Sequence, residues 1–287
     1  MKSQNEVKKL IFFFTVIPVA LVLVFSYIPI FAVFFYSLTD WGGDKLNDFT
    51  FVGLANYKMI LTNPNYIALF KNTIWYMLSS IPQLIFALIL AIILNDKIRG
   101  EKGFKAIVMI PYLLNGVVVA LLFSSFLNQS GGLNQILGIF GIDSQMDWLT
   151  NSKVVNPILA SISVWRYYGF NFILFLAAIQ SIPENLYEAC DIDGAGYWYR
   201  IRYLIIPSIR RILFINILLS VSGAIQVFEM PYIMTSGNFG SSTPLIAINQ
   251  IAFQDMRVGM GAAFSVIILI IVATVVVIQN LLFKEED

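Results

Sequence analysis

The chain predicts an all-α membrane protein with six spanning helices, and three observations lead there. It is 58% hydrophobic and only 12% charged, against about 25% charged residues in a soluble domain. Its mean hydropathy is +0.78. Five stretches, 10–39, 72–95, 106–142, 230–254 and 258–283, carry no Asp, Glu, Lys or Arg, and about 20 mostly apolar residues suffice to cross a bilayer. The net charge of +1 argues against nucleic acid as a partner. With no histidine and a single cysteine, Cys190, an intrachain disulfide and a His- or Cys-based metal site are excluded.

Hydropathy places the spans at about 10–38, 71–94, 105–127, 157–180, 211–235 and 259–282 of a single membrane domain, 1–287. The first is too long for the apolar core of a signal peptide and no small-residue cleavage site follows it, so it reads as a retained helix. The second and third carry Pro82 and Pro111, candidates for kinks. The fourth contains Arg166. The fifth is the least regular, because Glu229 and Pro231 fall near its outer end. Between spans, 40–65 holds Trp41 and Gly42-Gly43, and 128–156 holds GGLNQILGIFG, where Gly131-Gly132 predicts a turn before a short amphipathic helix; Trp148 suits the membrane interface. These loops either cap the spans or meet an extracytoplasmic partner.

Orientation follows from the basic residues. With the N-terminus inside, the inner segments carry Lys2, Lys8, Lys9, Lys97, Arg99, Lys102, Lys105, Arg200, Arg202, Arg210, Arg211 and Lys284; the outer ones carry Lys45, Lys58, Lys71, Lys153 and Arg257. The positive-inside rule then puts both termini and the loop 181–210 in the cytoplasm.

That loop is the most informative part of the chain. Ser181 and Glu184 fit a capping box, and Pro183 is tolerated at a helix start. Glu184, Glu188 and Asp191 are spaced i, i+4, i+7 and share one helix face, with Leu186, Ala189 and Cys190 largely on the other. Gly194 ends the helix if it takes a left-handed conformation. Tyr197–Tyr203 then predicts a further turn or two with Arg200 and Arg202 exposed, and Pro207 suits the start of the next helix. A carboxylate face of this kind suits a basic cleft on another protein, or is simply a solvated linker between spans.

The same residues, EACDIDGAGYWYRIRYLIIP at 188–207, resemble the cytoplasmic "EAA" loop of ABC-importer permeases. Glu188, Ala189 and Gly194 match its motif, Asp193-Gly194-Ala195 its usual extension, and Leu204-Ile205-Ile206-Pro207 its Ile-x-Leu-Pro ending; Cys190, Leu204 and Ile206 depart from it conservatively. FVGLANY, IPYLLNGVVVALLF, GGLNQIL, the VW-x3-GF segment at 164–170, QVFEMPYIMTSG, SSTPLIAINQIAF and GMGAAFS extend the likeness over nearly the whole chain, to the carbohydrate branch of the maltose and glycerol-phosphate type and to the first permease of a heteromeric pair. The resemblance implies a type I importer permease in a prokaryotic plasma membrane. It implies a second homologous permease (or a homodimer), two ATPase subunits that dock on Glu184, Glu188, Ala189, Asp191, Asp193, Gly194 and Pro207, and an extracytoplasmic sugar-binding protein. ATP and Mg belong to the ATPase partners, since this chain lacks a G-x-x-x-x-G-K-[ST] phosphate loop and is not itself an enzyme.

A sugar offers hydroxyls and an apolar ring face, so its path needs amides, carboxylates and aromatics. Trp165, Arg166, Tyr167, Tyr168 and Asn171 on the fourth span supply these, as do Gln226, Glu229 and Tyr232 on the fifth and Asn249 and Gln250 before the sixth. Gln226, Glu229 and Ile233 share a face if the helix survives Pro231. Intramembrane charges such as Arg166 and Glu229 either stand beside a translocation path, or form an ion pair or snorkel to the interface. The alternative function is a stand-alone secondary transporter, a class built on interrupted helices and midplane carboxylates.

Overall fold

The computed structural model describes residues 4–45, 48–95 and 100–282, with residues 4–9 and 282 as backbone only. Of the basic residues used for orientation, Lys2, Lys97, Arg99 and Lys284 lie outside these limits. Among the described residues the chain is helical throughout, and its only strand-like feature is an antiparallel bridge between Thr39 and Phe51. Contacts divide it into two compact units, residues 1–67 with 247–270 and residues 68–246 with 271–287.

The first unit opens with α1 (Gln4–Val22), a π-helical turn at Leu23–Tyr27, and α2 (Ile28–Tyr36). The apolar stretch Leu10–Tyr36 has none of its side chains buried, the state expected of a helix whose apolar surround is lipid. The loop that follows is fastened to α3 (Ala55–Thr62) by Asn56, whose buried amide donates to the Ser37 and Thr39 carbonyls at 3.0 and 2.8 Å. This satisfies carbonyls freed where α2 ends. The first turn of α4 (Pro64–Ile93) belongs here, and so do Tyr66 and Phe264, whose rings meet edge to face at 5.4 Å.

The second unit contains the rest of α4, which runs unbroken past Pro82. At 30 residues it is about 45 Å long, enough to cross a bilayer. The expected third span is two helices, α5 (Glu101–Leu113) and α6 (Gly116–Leu127), set at 87° to each other. The break has a local cause. Leu114 is extended, and the Asn115 side chain caps α6 by accepting from the Val117 amide at 2.9 Å. The short helix α7 (Gly132–Ile139) starts at the predicted glycine pair; buried Asn134 ties it to Gln129 and Met146, and Trp148 donates to Asn134.

Next comes α8 (Val155–Gln180), then α9 (Glu184–Ile192), α10 (Tyr197–Arg200), a π turn at Ile201–Ile205 and α11 (Ile206–Ser208). The fifth span, Arg210–Thr235, is interrupted: α12 (Arg210–Ile225) stops at Gln226, and α13 (Glu229–Thr235) begins three residues on. The helix thus fails before Pro231, which sits in the first turn of α13 where proline is tolerated. Then come α14 (Pro244–Asn249), a π turn at Gln250–Gln254 and α15 (Val258–Leu282), of which residues 247–270 belong to the first unit. Among the described residues five helical stretches are long and apolar enough to span, or six with α5 and α6 counted together.

Two apolar cores hold the second unit. One joins Tyr76, Val119, Val155, Leu159, Ala224 and Met230. The other joins Ala87, Ala91, Phe172, Phe175, Ile205 and Ile209. Burying side chains of this size contributes about 1.5–3 kcal/mol each in water, whereas between lipid-exposed helices the gain comes from close packing.

Candidate functional site

Two places collect functional side chains. The first is the loop between α8 and α12. The predicted capping box is absent: Ser181 closes the end of α8 instead, its hydroxyl donating to the Ala178 carbonyl at 2.7 Å, and Pro183 occupies the N-cap of α9. Gly194 takes φ +68°, and the Ala195 and Gly194 amides donate to the Cys190 and Asp191 carbonyls at 2.9 and 3.1 Å. These two bonds make a Schellman motif, which ends the helix sharply. Glu184, Glu188, Ala189, Asp191 and Asp193 are all exposed. Asp191 is not a free carboxylate, because Arg200 pairs with it across the glycine turn and also donates to the Ala195 carbonyl at 3.2 Å. Arg200 is therefore only half-exposed, while Arg202 is exposed as predicted. Pro207 lies inside α11 rather than at the start of α12. Ile205 and Ile209 flank it and anchor the segment in the second core, against which Ile182 and Tyr187 also pack.

The second place is a cavity of about 470 Å³ within the second unit, a size suited to a small ligand. From α4 it takes Tyr76, Ser79, Ser80 and Gln83; from α5 Tyr112; from α8 Ser163, Tyr167, Phe170 and Asn171. The rest of the wall is α12 and the interrupted link, including Ser220, Gly223, Gln226, Phe228 and Glu229. Asn171 is buried and donates to the Ser220 hydroxyl at 3.0 Å, so α8 and α12 are joined at the wall. Gln226 folds back onto the Ser222 carbonyl at 3.2 Å. At the link, the Val227 carbonyl accepts from the buried Thr243 hydroxyl at 2.8 Å.

The two intramembrane charges are partners. Arg166 Nη1 stands 2.5 Å from Glu229 Oε2, with the arginine side chain 11% exposed and the glutamate 40%. The guanidinium also lies over the Tyr167 ring at 5.2 Å. A charge inside a membrane protein is costly unless paired in this way.

Of the residues predicted for a substrate path, Tyr167, Asn171, Gln226 and Glu229 line the cavity. Arg166 does not line it but pairs with Glu229, which does. Trp165 packs edge to face on Phe123 at 5.3 Å, and Tyr232 stacks on Phe228 at 4.7 Å; neither is a lining residue. Tyr168 meets Phe86. Asn249 and Gln250 belong to the first unit, whereas every lining residue belongs to the second. Sequence reasoning missed the α4 wall, although Ser79, Ser80 and Gln83 form a polar face in an otherwise apolar span.

Residues 60–285 match the family described as binding-protein-dependent transport system inner membrane component. A probable ABC transporter permease, YurN, of Bacillus subtilis (strain 168) is 32% identical over 99% of this chain and 98% of its own length. The trehalose/maltose transport system permease MalF of Thermococcus litoralis is 30% identical over 92% of this chain and 91% of its own. Among solved structures, a bacterial alginate ABC transporter in complex with an alginate pentasaccharide-bound periplasmic protein superposes with a TM-score of 0.85 at 22% identity, covering 98% of this chain and 96% of that one. That last likeness speaks for the fold alone. The class is that of multi-pass transport permeases. The chain belongs to the family of binding-protein-dependent transport system inner membrane components, which sets aside the stand-alone secondary transporter.

Proposed function

We propose that the chain is the permease subunit of an ATP-driven sugar importer, forming half of a translocation path and receiving force through the loop 181–210. The observation that carries the coupling half of this reading is the exposed helix Glu184–Ile192, closed by a left-handed Gly194 and rooted in the second core through Ile205 and Ile209. A helix so held can be pushed as a body. Glu188 is its charged contact with a basic cleft, and Gly194 is the turn that lets it seat. The cavity supports the substrate half: hydroxyls, amides and phenols around a largely apolar wall suit a polyhydroxylated ring. The permease for trehalose/maltose among the relatives points the same way.

In this reading a second permease, homologous or identical, completes the path. Two ATPase subunits bind ATP and Mg, and a sugar-binding protein delivers ligand from outside. The chain itself catalyses nothing. Both termini and the coupling loop face the cytoplasm of a prokaryotic cell, and the spans cross its plasma membrane. The test is to purify the tagged chain from membranes and identify what accompanies it. An ATPase and a second permease should co-purify, and Glu188→Lys should lose the ATPase or uncouple its activity from sugar. Normal transport by Glu188→Lys, or transport by the chain alone, refutes the reading.

A further inference from the structure

We infer that the cavity selects by charge: it admits uncharged polyhydroxylated ligands and turns away carboxylated ones, with Glu229 setting the selection. The inference rests on the reading of this cavity as the sugar path. Glu229 is the only Asp, Glu, Lys or Arg among the residues that line it. Its cation is not a lining residue: Arg166 is 11% exposed in its side chain, and its Nη1 is committed to Glu229 at 2.5 Å. Of the ion pair, only the glutamate lines the cavity; the arginine does not.

A ligand carboxylate entering this space would shed water and find no cation to replace it. It would also face a like charge in a medium that screens poorly. A sugar hydroxyl meets neither obstacle. Polar groups are at hand in Gln83, in the side-chain oxygens of Ser79 and Gln226, residues that themselves donate to the Tyr76 and Ser222 carbonyls, and in Tyr76, which is 2% exposed and whose hydroxyl has no hydrogen-bond partner among the described residues.

The test reads cavity charge without needing the natural ligand. Gly223 lines the cavity, and a Cβ added there meets nothing within 4 Å, so Gly223→Cys introduces a reporter thiol in a Cys190→Ala background; Ser79→Cys is the second reporter position. The full chain in its membrane complex is treated with methanethiosulfonates bearing a neutral hydroxyethyl or an anionic sulfonatoethyl group, with rates normalised to a free thiol. The anionic reagent should react about ten-fold or more slowly, the size expected of one like-charge repulsion inside a protein. Glu229→Gln should abolish or reverse the difference, and the paired Arg166→Gln/Glu229→Gln variant, which strands no charge, should abolish it. Maltotriose should slow labelling by the neutral reagent and trigalacturonate should not. Equal rates for the two reagents, or equal protection by the two sugars, overturn the inference. If the reagents sort by charge as expected but neither sugar protects, the charge filter stands and the sugar-path reading fails.

Discussion

The carboxylate of Glu229 occupies the space in which a side chain at Gly116 would sit: a Cβ built there would lie 2.1 Å from Oε1 and 2.3 Å from Oε2. Gly116 is the first residue of α6, just past the 87° bend, and Glu229 is the first residue of α13, just past the interruption of the fifth span. Two breaks in two different spans thus meet at one side chain. The N-terminus of α6 favours an anion beside it, and Arg166 pairs with the same carboxylate.

Gly116→Ala should displace the carboxylate and disturb both breaks. A loss of about 1–3 kcal/mol is expected from overpacking of this kind. It would be read as a lower unfolding midpoint of the purified protein in detergent, together with weaker substrate-stimulated ATP hydrolysis in the assembled complex. An unchanged midpoint would show that the carboxylate moves aside freely.

Removing one partner of the ion pair should cost more than removing both. Glu229→Ala leaves Arg166 charged and largely buried, with its Nε already lacking a partner. The expected loss is about 2–3 kcal/mol, below the ~3–5 kcal/mol of a fully buried pair because the glutamate is partly exposed. The Arg166→Met/Glu229→Met double variant should recover much of it. A double-mutant cycle on thermal stability measures the coupling, and a value near zero contradicts the pairing.

Gly194→Ala isolates the geometry of the coupling loop. No atom lies within 4 Å of the added methyl group, so the only penalty is the left-handed backbone at φ +68°, about 1–2 kcal/mol. The effect should be local: the unfolding midpoint moves little while ATPase activity and transport decouple. Full coupling in this variant would mean that the Schellman turn does not seat the helix.

Acid should loosen the loop after α2. Hydrogen bonds from the Thr50 hydroxyl and amide to Asp40 hold its carboxyl below the ordinary value of 3.8. A carboxyl with a depressed folded value contributes stability above its unfolded value, and that contribution is lost as pH falls through the folded value. Trp41, stacked on Tyr36 at 4.1 Å, reports on this loop. Its fluorescence should change as pH drops below 3.8, and Thr50→Val should move the transition to higher pH. A coincident titration in both proteins argues against the bond.

The spans were legible because hydropathy is a property of composition over twenty residues. The breaks within them were not. VMIPYLLNGVVVALL is apolar on both sides of Asn115, and only the amide of that residue, competing for the backbone as a cap, turns the chain. At the fifth span Pro231 drew attention, yet the helix stops at Gln226, where tertiary contacts from Thr243 and Arg166 win over local pattern. Arg166 and Glu229 were each visible as anomalies in an apolar run; that they touch across 63 positions was not. The carboxylate face of α9 followed from spacing, whereas the Arg200 bridge that occupies Asp191 depends on a turn whose angle no periodicity records.

Thr243 makes the interrupted fifth span more than a gap. Its hydroxyl is the anchor for the Val227 carbonyl, while the preceding segment is gripped by Asn156 at the Gly240 carbonyl and by Asn72 at the Ser242 carbonyl. Anything that pulls on residues 240–243 must either strand a half-buried carbonyl, at a cost of about 1 kcal/mol, or drag Val227 and the cavity wall along with it. A pull on this segment is thereby passed to the chamber wall, through a tether one hydrogen bond long.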